Sequence, residues 1–123
     1  MLVSVNLRPA LPTARLPELP LVAGAAVAQA IGEATGLSPN VRFPNDVLIG
    51  GRKVAGILAE AREDRVVLGI GINVNVGADE LPQEVDAPAT SLQVETGARH
   101  DRATLLAAVL ERLETAYDAW LGS

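Results

Sequence analysis

The stretch Val41–Leu58, VRFPNDVLIGGRKVAGIL, decides how the rest of the chain is interpreted. It places an Asn-Asp pair, a Gly-Gly step and the only lysine of the chain at short offsets within aliphatic and β-branched runs. Gly50-Gly51 is typical of a two-residue hairpin turn, so the residues on either side are predicted to pair as antiparallel strands. A core strand does not require polar residues in this arrangement. The stretch therefore indicates a functional site on a sheet.

The segments around this hairpin predict an α+β fold in which helices flank a mostly antiparallel sheet. The expected strands are Leu2–Leu7, Val41–Phe43, Asp46–Ile49, Arg52–Arg62 and Arg65–Val76, and the expected helices are Leu21–Thr35 and Arg102–Leu121. Loops are expected at Arg8–Pro20 and Gly77–Gly97, the latter with a helical turn at Asp79–Leu81. The first helix is apolar on nearly every side, which predicts burial between two partners.

The two helices carry recognisable end signals. Pro20 suits the first turn of the first helix and Gly36 is expected to end it. Asp101 is expected to cap the last helix. That helix is predicted to bury one apolar stripe, formed by Leu106, Val109, Leu110, Leu113, Ala116, Tyr117 and Trp120.

Composition excludes several classes of protein. The 123 residues are 49% hydrophobic and 20% charged, which is typical of one globular domain or a piece of a larger one. A net charge of −5 and only one Phe, one Tyr and one Trp argue against nucleic-acid binding. The sequence has no cysteine and one histidine, so thiolate and multi-histidine metal centres are excluded. The longest apolar run, Leu21–Ala28, is too short to span a bilayer, and a cytoplasmic location is expected.

Two polar features of the opening stretch each have two interpretations. Lys53 is either a solvated lysine at a strand edge or a cation held against a phosphate or carboxylate that lies across the sheet. Asn45 and Asp46, after Pro44, are either turn residues or a polar pair at the mouth of the sheet. In the second case Asp46 would coordinate Mg²⁺ or accept a proton from an amine.

A third feature is the segment GIGINVN, which begins at Gly69. It contains G-x-G but lacks the third glycine and the following helix of a dinucleotide fingerprint. It is better explained as a sheet surface flattened by Gly69 and Gly71, with Asn73 and Asn75 on the same side at period two. A planar ligand would lie there, hydrogen-bonded to Asn73. Gly56 is another glycine inside a strand, and such glycines mark a bulge or the close approach of a ligand.

Four blocks occur in a fixed order along the chain. They are RFPNDV at Arg42–Val47, GRKVAGIL at Gly51–Leu58, GIGINVN at Gly69–Asn75 and ATSL at Ala89–Leu92. The order and spacing resemble the central domain of the biotin protein ligase family, which carries K-W-P-N-D-[VIL], G-x-K-[VL]-[AG]-G-I-L, G-[IVA]-G-[IL]-N and A-T-S-L segments. The resemblance extends more weakly over the helices at both ends of the chain, so that it covers nearly all of it.

This resemblance implies a fold related to class II aminoacyl-tRNA synthetases, with an antiparallel sheet flanked by helices. It also implies a two-step reaction. Biotin and MgATP first give biotinyl-adenylate and pyrophosphate. The activated carboxyl then passes to a lysine of the biotin carboxyl carrier protein of a biotin-dependent carboxylase.

The resemblance also assigns roles to residues. Lys53 would bridge the biotin carboxylate and the α-phosphate of ATP, and Asn45 and Asp46 would lie beside the phosphate and the metal. Asp46 would orient or deprotonate the acceptor lysine. The residues expected to contact biotin are Lys53, Gly56, Ile57, Leu58, Gly69 and Gly71. Those expected to contact ATP are Arg42, Asn45, Lys53 and Asn73.

The chain departs from the family pattern in several places. Arg42 replaces the usual lysine and lacks its compact ammonium, and Phe43 replaces the usual tryptophan and lacks the indole N–H. The G-R-G-R-x-G-R loop that precedes the strand matching Leu2–Leu7 in the family is not in the sequence, and neither is a small C-terminal β-barrel domain. We therefore expect residues 1–123 to be a partial, incomplete catalytic domain.

Two alternatives stay open on the sequence. The first is a non-catalytic remnant that binds adenylate or a carrier protein, or that only forms a homodimer through open sheet edges. The second is a lipoyl ligase or octanoyl transferase, which share the fold.

Overall fold

The computed structural model describes residues 1–83 and 87–123, and it confirms the predicted α+β fold with an antiparallel sheet. The strands are β1 (Leu2–Leu7), β2 (Asn40–Arg42), β3 (Asp46–Ile49), β4 (Arg52–Ala61) and β5 (Val66–Ile72), in the spatial order β1-β5-β4-β3-β2. The helices are α1 (Leu19–Thr35), α2 (Leu92–Thr96) and α3 (Arg102–Leu121), with 3₁₀ turns at Thr13–Glu18 and Ala78–Glu80.

The sheet has one face against the helices and one face that is left open. Along β5, Leu68, Ile70 and Ile72 are buried, whereas Gly69 and Gly71 between them point to the other face. This alternation follows from the period of two in a strand. The aliphatic side therefore anchors the sheet to the helices, and the glycine side is available for a ligand.

Helix α1 lies between the sheet and α3, as its all-round apolar surface predicted. It approaches the sheet closely at Gly24, where an added Cβ would lie 3.3 Å from Val41 and 3.7 Å from Ile57. Gly36 ends the helix in the left-handed conformation, with φ of 77°, a geometry that favours glycine. No helix within residues 1–83 and 87–123 is long and apolar enough to cross a membrane.

The stripe predicted for α3 is confirmed for most of its residues, which are buried or pack against the core: Val109, Leu113, Ala116, Tyr117 and Trp120. It is wrong at its N-terminal end. Leu105 is fully buried, while Leu110 is 42% exposed. The buried row consists of Leu105, Val109 and Leu113, spaced four residues apart, and it ends at Trp120. A residue one position away from this row is rotated by about 100° around the helix, which places Leu110 toward solvent.

Two segments predicted as loops contain short helices. The segment before α1 forms the 3₁₀ turn at Thr13–Glu18, and α2 lies in the second predicted loop. Ser91 caps α2 by accepting a hydrogen bond from the Val94 N–H at 3.0 Å. A helix of five residues is too short to show a periodic apolar pattern. Residues 84–86 of the predicted loop lie outside the described residues.

Candidate active site

The β3–β4 hairpin positions the polar residues of the opening stretch. Gly50 and Gly51 have φ of 55° and 80°, which confirms the turn predicted from the Gly-Gly step. Asp46, the first residue of β3, lies opposite Gly56 of β4. Asp46 thus directly follows a turn and is itself the first residue of a strand, so that a feature of each interpretation is present.

A break in the strand register determines the side on which Lys53 lies. Val47 pairs with Ala55, but the next residue, Leu48, pairs with Lys53, so the register shifts by one residue of β4. Lys53 and Gly56 are three residues apart and would point to opposite faces of a regular strand. The shift returns Lys53 to the face of Gly56, where an added Cβ would lie 3.3 Å from Lys53 Cε. Bulges commonly re-aim a side chain in this way.

Three charged side chains meet at this point. Asp46 is only 8% exposed, and Arg42 Nη2 donates to its Oδ2. Lys53 Nζ lies 3.3 Å from Asp46 Oδ1. The side chains of Arg42 and Lys53 remain 34% and 24% exposed. Lys53 is therefore held in an ion pair and is not a freely solvated strand-edge lysine.

The charge state of Asp46 follows from opposing influences. Burial is the largest and would raise the pKa of Asp46, but the hydrogen bonds and charges of Arg42 and Lys53 together outweigh it and hold the pKa below its usual value. A carboxylate with a low pKa is a weak proton acceptor. Asp46 is therefore suited to fix and orient cations, and poorly suited to remove a proton from an amine.

The site face is the open surface of the sheet formed by Leu2, Asp46, Gly56, Leu58, Gly69 and Gly71. Gly56 lies opposite Gly71, and Leu58 lies opposite Gly69, so the three glycines are neighbours. Leu2 and Leu58 are exposed. A pocket of about 300 Å³ lies at the charged end of this face, lined by Met1, Leu2, Lys53, Ala55, Gly56, Gly71, Ile72 and Asn73.

The two asparagines after β5 are engaged with the backbone of later segments. Asn73 Nδ2 donates to the carbonyl of Thr90 at 3.1 Å. Asn75 Nδ2 donates to the carbonyl of His100 at 2.8 Å, and its Oδ1 accepts from the N–H of the same residue at 2.8 Å. Asn73 lines the pocket, whereas Asn75 holds the segment that leads into α3.

For two other expected site residues, Ile57 and Asn45, the main chain is the part that relates to the site. The side chain of Ile57 is buried against α1 and faces away from the site face, so a ligand there would meet only its main chain. The carbonyl of Asn45 accepts a hydrogen bond from the N–H of Ile57 at 2.9 Å. Phe43 is exposed beside this turn.

Sequence reasoning missed a polar network next to Lys53, in which Thr90 is buried and the Glu95 side chain is 11% exposed. Glu95 of α2 accepts two hydrogen bonds from Arg52, at 2.8 and 2.7 Å, and one from the Thr90 hydroxyl at 2.6 Å. Arg52 and Glu95 are 43 residues apart, so no local pattern joins them. The only signal was the Ala-Thr-Ser-Leu block that contains Thr90.

The geometry suits a ligand that has an anionic group and an apolar, flat part. Lys53 offers positive charge at the end of the pocket, and Arg42 is bonded to the Asp46 carboxylate that also pairs with Lys53. The glycines and Leu58 offer an apolar surface on which a ligand can approach the backbone. Within residues 1–83 and 87–123, no group of three or more His, Cys, Asp or Glu side chains could hold a metal ion.

Comparison with a family model gives a match over residues 1–77, to the Biotin/lipoate A/B protein ligase family. The match covers the whole sheet, including Asp46, Lys53 and the three glycines of the site face. It ends before Thr90 and Glu95.

Two curated proteins show the same similarity over more of the chain. The bifunctional ligase/repressor BirA of Bacillus spizizenii is 43% identical over 120 residues, which are 94% of this chain and 37% of that protein. The biotin--[acetyl-CoA-carboxylase] ligase of Mycobacterium tuberculosis is 40% identical over 105 residues, 83% of this chain and 38% of that protein. The chain thus spans little more than a third of the length of these relatives.

Solved structures show the same fold. The apo structure of biotin protein ligase from Aquifex aeolicus has a TM-score of 0.88 and 36% identity, covering 99% of this chain and 54% of that chain. A structure of the Aquifex aeolicus ligase in complex with biotin and ATP has a TM-score of 0.87 and 36% identity, covering 99% and 51%. The predicted biotin ligase-like fold is confirmed by this similarity.

Proposed function

Because this chain belongs to the biotin/lipoate A/B protein ligase family, we propose that it provides the part of a biotin protein ligase that activates the biotin carboxylate with ATP. One observation carries the proposal. The ammonium of Lys53 lies beside Gly56 on the site face, at the charged end of a pocket of about 300 Å³. An acyl carboxylate bound there would meet a cation at one end and the glycines and Leu58 along its length.

In the first step, an oxygen of the biotin carboxylate attacks the α-phosphorus of ATP, and the bond from this phosphorus to the bridging oxygen of pyrophosphate breaks. The products are biotinyl-adenylate and pyrophosphate. Negative charge accumulates on the α-phosphate during this step. Lys53 would stabilise it, since a preorganised cation in a partly buried site costs no reorganisation at that moment. Arg42, Asn45 and Asn73 would contact ATP around it.

In the second step, the amine of a carrier-protein lysine attacks the acyl carbon, an amide bond forms, and AMP leaves with the bonding electron pair. The amine loses a proton, which passes to solvent water as the amide forms. We assign Asp46 to the orientation of Lys53 and of the incoming amine, because its pKa is lowered by its two cationic partners. The acceptor is proposed to be the biotin carboxyl carrier protein of a biotin-dependent carboxylase, and a reaction that consumes ATP suits a cytoplasmic location.

Biotin would lie over Gly56, Gly69 and Gly71, with Leu58 along its apolar part and the main chain of Ile57 beneath it. Mg²⁺ does not fit a site built by the described residues, since no group of acidic or histidine side chains surrounds a common point and both oxygens of Asp46 have cationic partners. We assign Mg²⁺ only as the counter-ion that arrives with ATP.

The direct test is to incubate the chain with biotin, MgATP and a carrier domain, and to measure biotinyl-adenylate and the mass of the carrier. Binding of a non-hydrolysable biotinyl-adenylate analogue, measured by calorimetry, tests the site separately from turnover. Lys53→Ala is expected to lower the rate of adenylate formation about 100-fold or more. Arg8→Ala is the matched control, because it removes one positive charge from an exposed side chain at the opposite end of β1.

The outcomes separate the alternatives. If the chain forms no adenylate and does not bind the analogue, the proposed function is refuted and a non-catalytic protein is favoured. Lipoate accepted in preference to biotin would favour a lipoyl ligase. A Lys53→Ala variant that is as active as Arg8→Ala would show that the role given to Lys53 is wrong.

One observation favours homodimer formation as a second function. The site face exposes Leu2 and Leu58, and β1 and β2 form the two edges of the sheet. Strand edges and exposed apolar side chains are surfaces on which a second copy can pair. Sedimentation velocity over a range of concentrations tests this: a single monomeric species throughout would exclude it.

A further inference from the structure

The segment that contains Pro88 and Thr90 is bonded directly to the backbone of Lys53. The N–H of Lys53 donates to the carbonyl of Pro88, and the N–H of Thr90 donates to the carbonyl of Lys53, both at 2.8 Å. Residues 53 and 89 thereby form a parallel bridge. The backbone that carries the site lysine is therefore fixed from outside the hairpin, on the strand edge opposite β3.

This segment is in turn attached to the residue that precedes the lysine. Thr90 is fully buried, and its hydroxyl donates to Glu95. Glu95, with a side chain only 11% exposed, receives both hydrogen bonds of a bidentate pair from Arg52. Bidentate arginine–carboxylate pairs fix geometry as well as adding energy. The Arg52–Thr90–Glu95 network thus closes a ring of contacts around Lys53.

The charges in the network are stable over the ordinary pH range. The hydrogen bond from Arg52 is the main reason that the pKa of Glu95 lies below its usual value, and the Thr90 hydroxyl acts in the same direction against the effect of burial. Glu95 therefore remains a carboxylate under assay conditions. The network is a permanent structural connection and does not switch with pH near neutrality.

We propose that Arg52, Thr90 and Glu95 are positioning residues for Lys53: they hold its backbone so that the ammonium stays on the site face beside Gly56. The inference rests on the proposed function, because it assigns these residues to the activation of the carboxylate. None of them lines the pocket, so they act through Lys53. A displacement of a reacting group by about 1 Å can cost roughly 100-fold in rate, and the network prevents it by fixing the shifted strand register.

Glu95→Gln and Thr90→Val remove the charge and the hydroxyl with little change of shape. Thr90→Ser keeps the hydroxyl and serves as the conservative rescue. Glu33→Gln is the matched control, because Glu33 pairs with Arg112 at 2.6 Å between α1 and α3, away from Lys53. The measurements are kcat and KM for biotin in adenylate formation, the melting temperature, and hydrogen exchange of the Lys53 and Thr90 amides by NMR.

We expect Glu95→Gln and Thr90→Val to lower kcat about 10-fold with a smaller change in KM, and to speed amide exchange at Lys53. Thr90→Ser should restore most of kcat, and Glu33→Gln should affect melting alone. If the wild-type chain is active and Glu95→Gln keeps its kcat and its slow exchange at Lys53, the positioning role is wrong. If the wild-type chain neither forms adenylate nor binds the analogue, the proposed function fails first, and the exchange data still show whether the network holds Lys53.

Discussion

Replacing Asp46 with asparagine tests whether the site holds a carboxylate between two cations. Asparagine has nearly the same shape, so the substitution removes charge and leaves the packing of the β3–β4 hairpin in place. Arg42 and Lys53 would then lie beside each other without the anion that now separates them. Both the stability of the fold and its dependence on pH should change.

The size of the effect can be worked from the contacts. A hydrogen bond to a charged group contributes about 1.5–3 kcal/mol, and Asp46 has two such partners while being only 8% exposed. Arg42 and Lys53 are partly solvated, so their losses will not add in full. We expect the free energy of unfolding to fall by about 2–3 kcal/mol, which for a domain of this length corresponds to a decrease in Tm of roughly 6–15 °C.

The dependence on pH has a definite sign. Although burial opposes them, Arg42 and Lys53 hold the folded-state pKa of Asp46 below the ordinary value of 3.8. A carboxyl with a lower pKa in the folded than in the unfolded chain stabilises the fold above its unfolded value, and this contribution is lost as the pH falls through the folded pKa. The difference between wild type and Asp46→Asn should therefore be constant above about pH 5 and should shrink below 3.8.

Urea unfolding followed by circular dichroism, at pH 7 and at several values below 3.8, measures both effects. Asp64→Asn is the control, since Asp64 also contacts two arginines, Arg8 at 3.6 Å and Arg65 at 3.0 Å, but its side chain is 62% exposed. Exposed pairs contribute little, so no measurable loss is expected. An Asp46 variant that is no less stable than the Asp64 variant, or a difference that persists unchanged at low pH, would refute the reasoning.

Two further substitutions test the site face and the last helix. Gly56→Ala would place a methyl 3.3 Å from Lys53 Cε and 3.4 Å from Nζ, and should lower kcat/KM for adenylate formation about 10-fold or more with little change in Tm. Gly122→Ala, with no atom closer than 3.7 Å, should leave activity unchanged, and equal activity of the two variants would contradict the role of Gly56. Leu105→Ala should cost about 2–4 kcal/mol of unfolding free energy and Leu110→Ala less than about 1 kcal/mol. Equal losses of the two variants in urea unfolding would contradict the burial of Leu105 and the exposure of Leu110.

Local patterns were sufficient for the meander of β2 to β5 and for the glycine surface, but not for the pairing of β1 with β5. Period-two spacing within the strands placed Gly69 and Gly71 on one side, and the Gly-Gly turn placed Asp46 and Lys53 on paired strands. The antiparallel register then brings Gly56 opposite Gly71. Each of these steps depends on residues close together in sequence, where propensity and alternation are informative.

Contacts between segments that are distant in sequence could not be predicted from these local patterns. Leu106 and Leu110 are as apolar as Leu105, and the packing of α3 against α1 is a contact between distant segments that decides which of them is buried. The pairing of Arg52 with Glu95 spans 43 residues and joins a strand to a helix too short to be predicted. The amide of Asn73 could be assigned to the site from its motif, but its bond to the Thr90 carbonyl depends on where the later segment returns to the sheet.

The position of Lys53 depends both on the local strand pattern and on contacts with a distant segment. Lysine and glycine three residues apart in a regular strand would face opposite sides, and the helix-facing side of β4 is formed by the buried Ala55 and Ile57. A lysine ammonium among such residues would lose its hydration and its charge would be disfavoured. The register shift between β3 and β4 avoids this outcome, and the hydrogen bonds to Pro88 and Thr90 lie at the same point of the chain. The position of Lys53 thus depends on an irregularity in the strand, at a point that is hydrogen-bonded to residues outside the pocket lining.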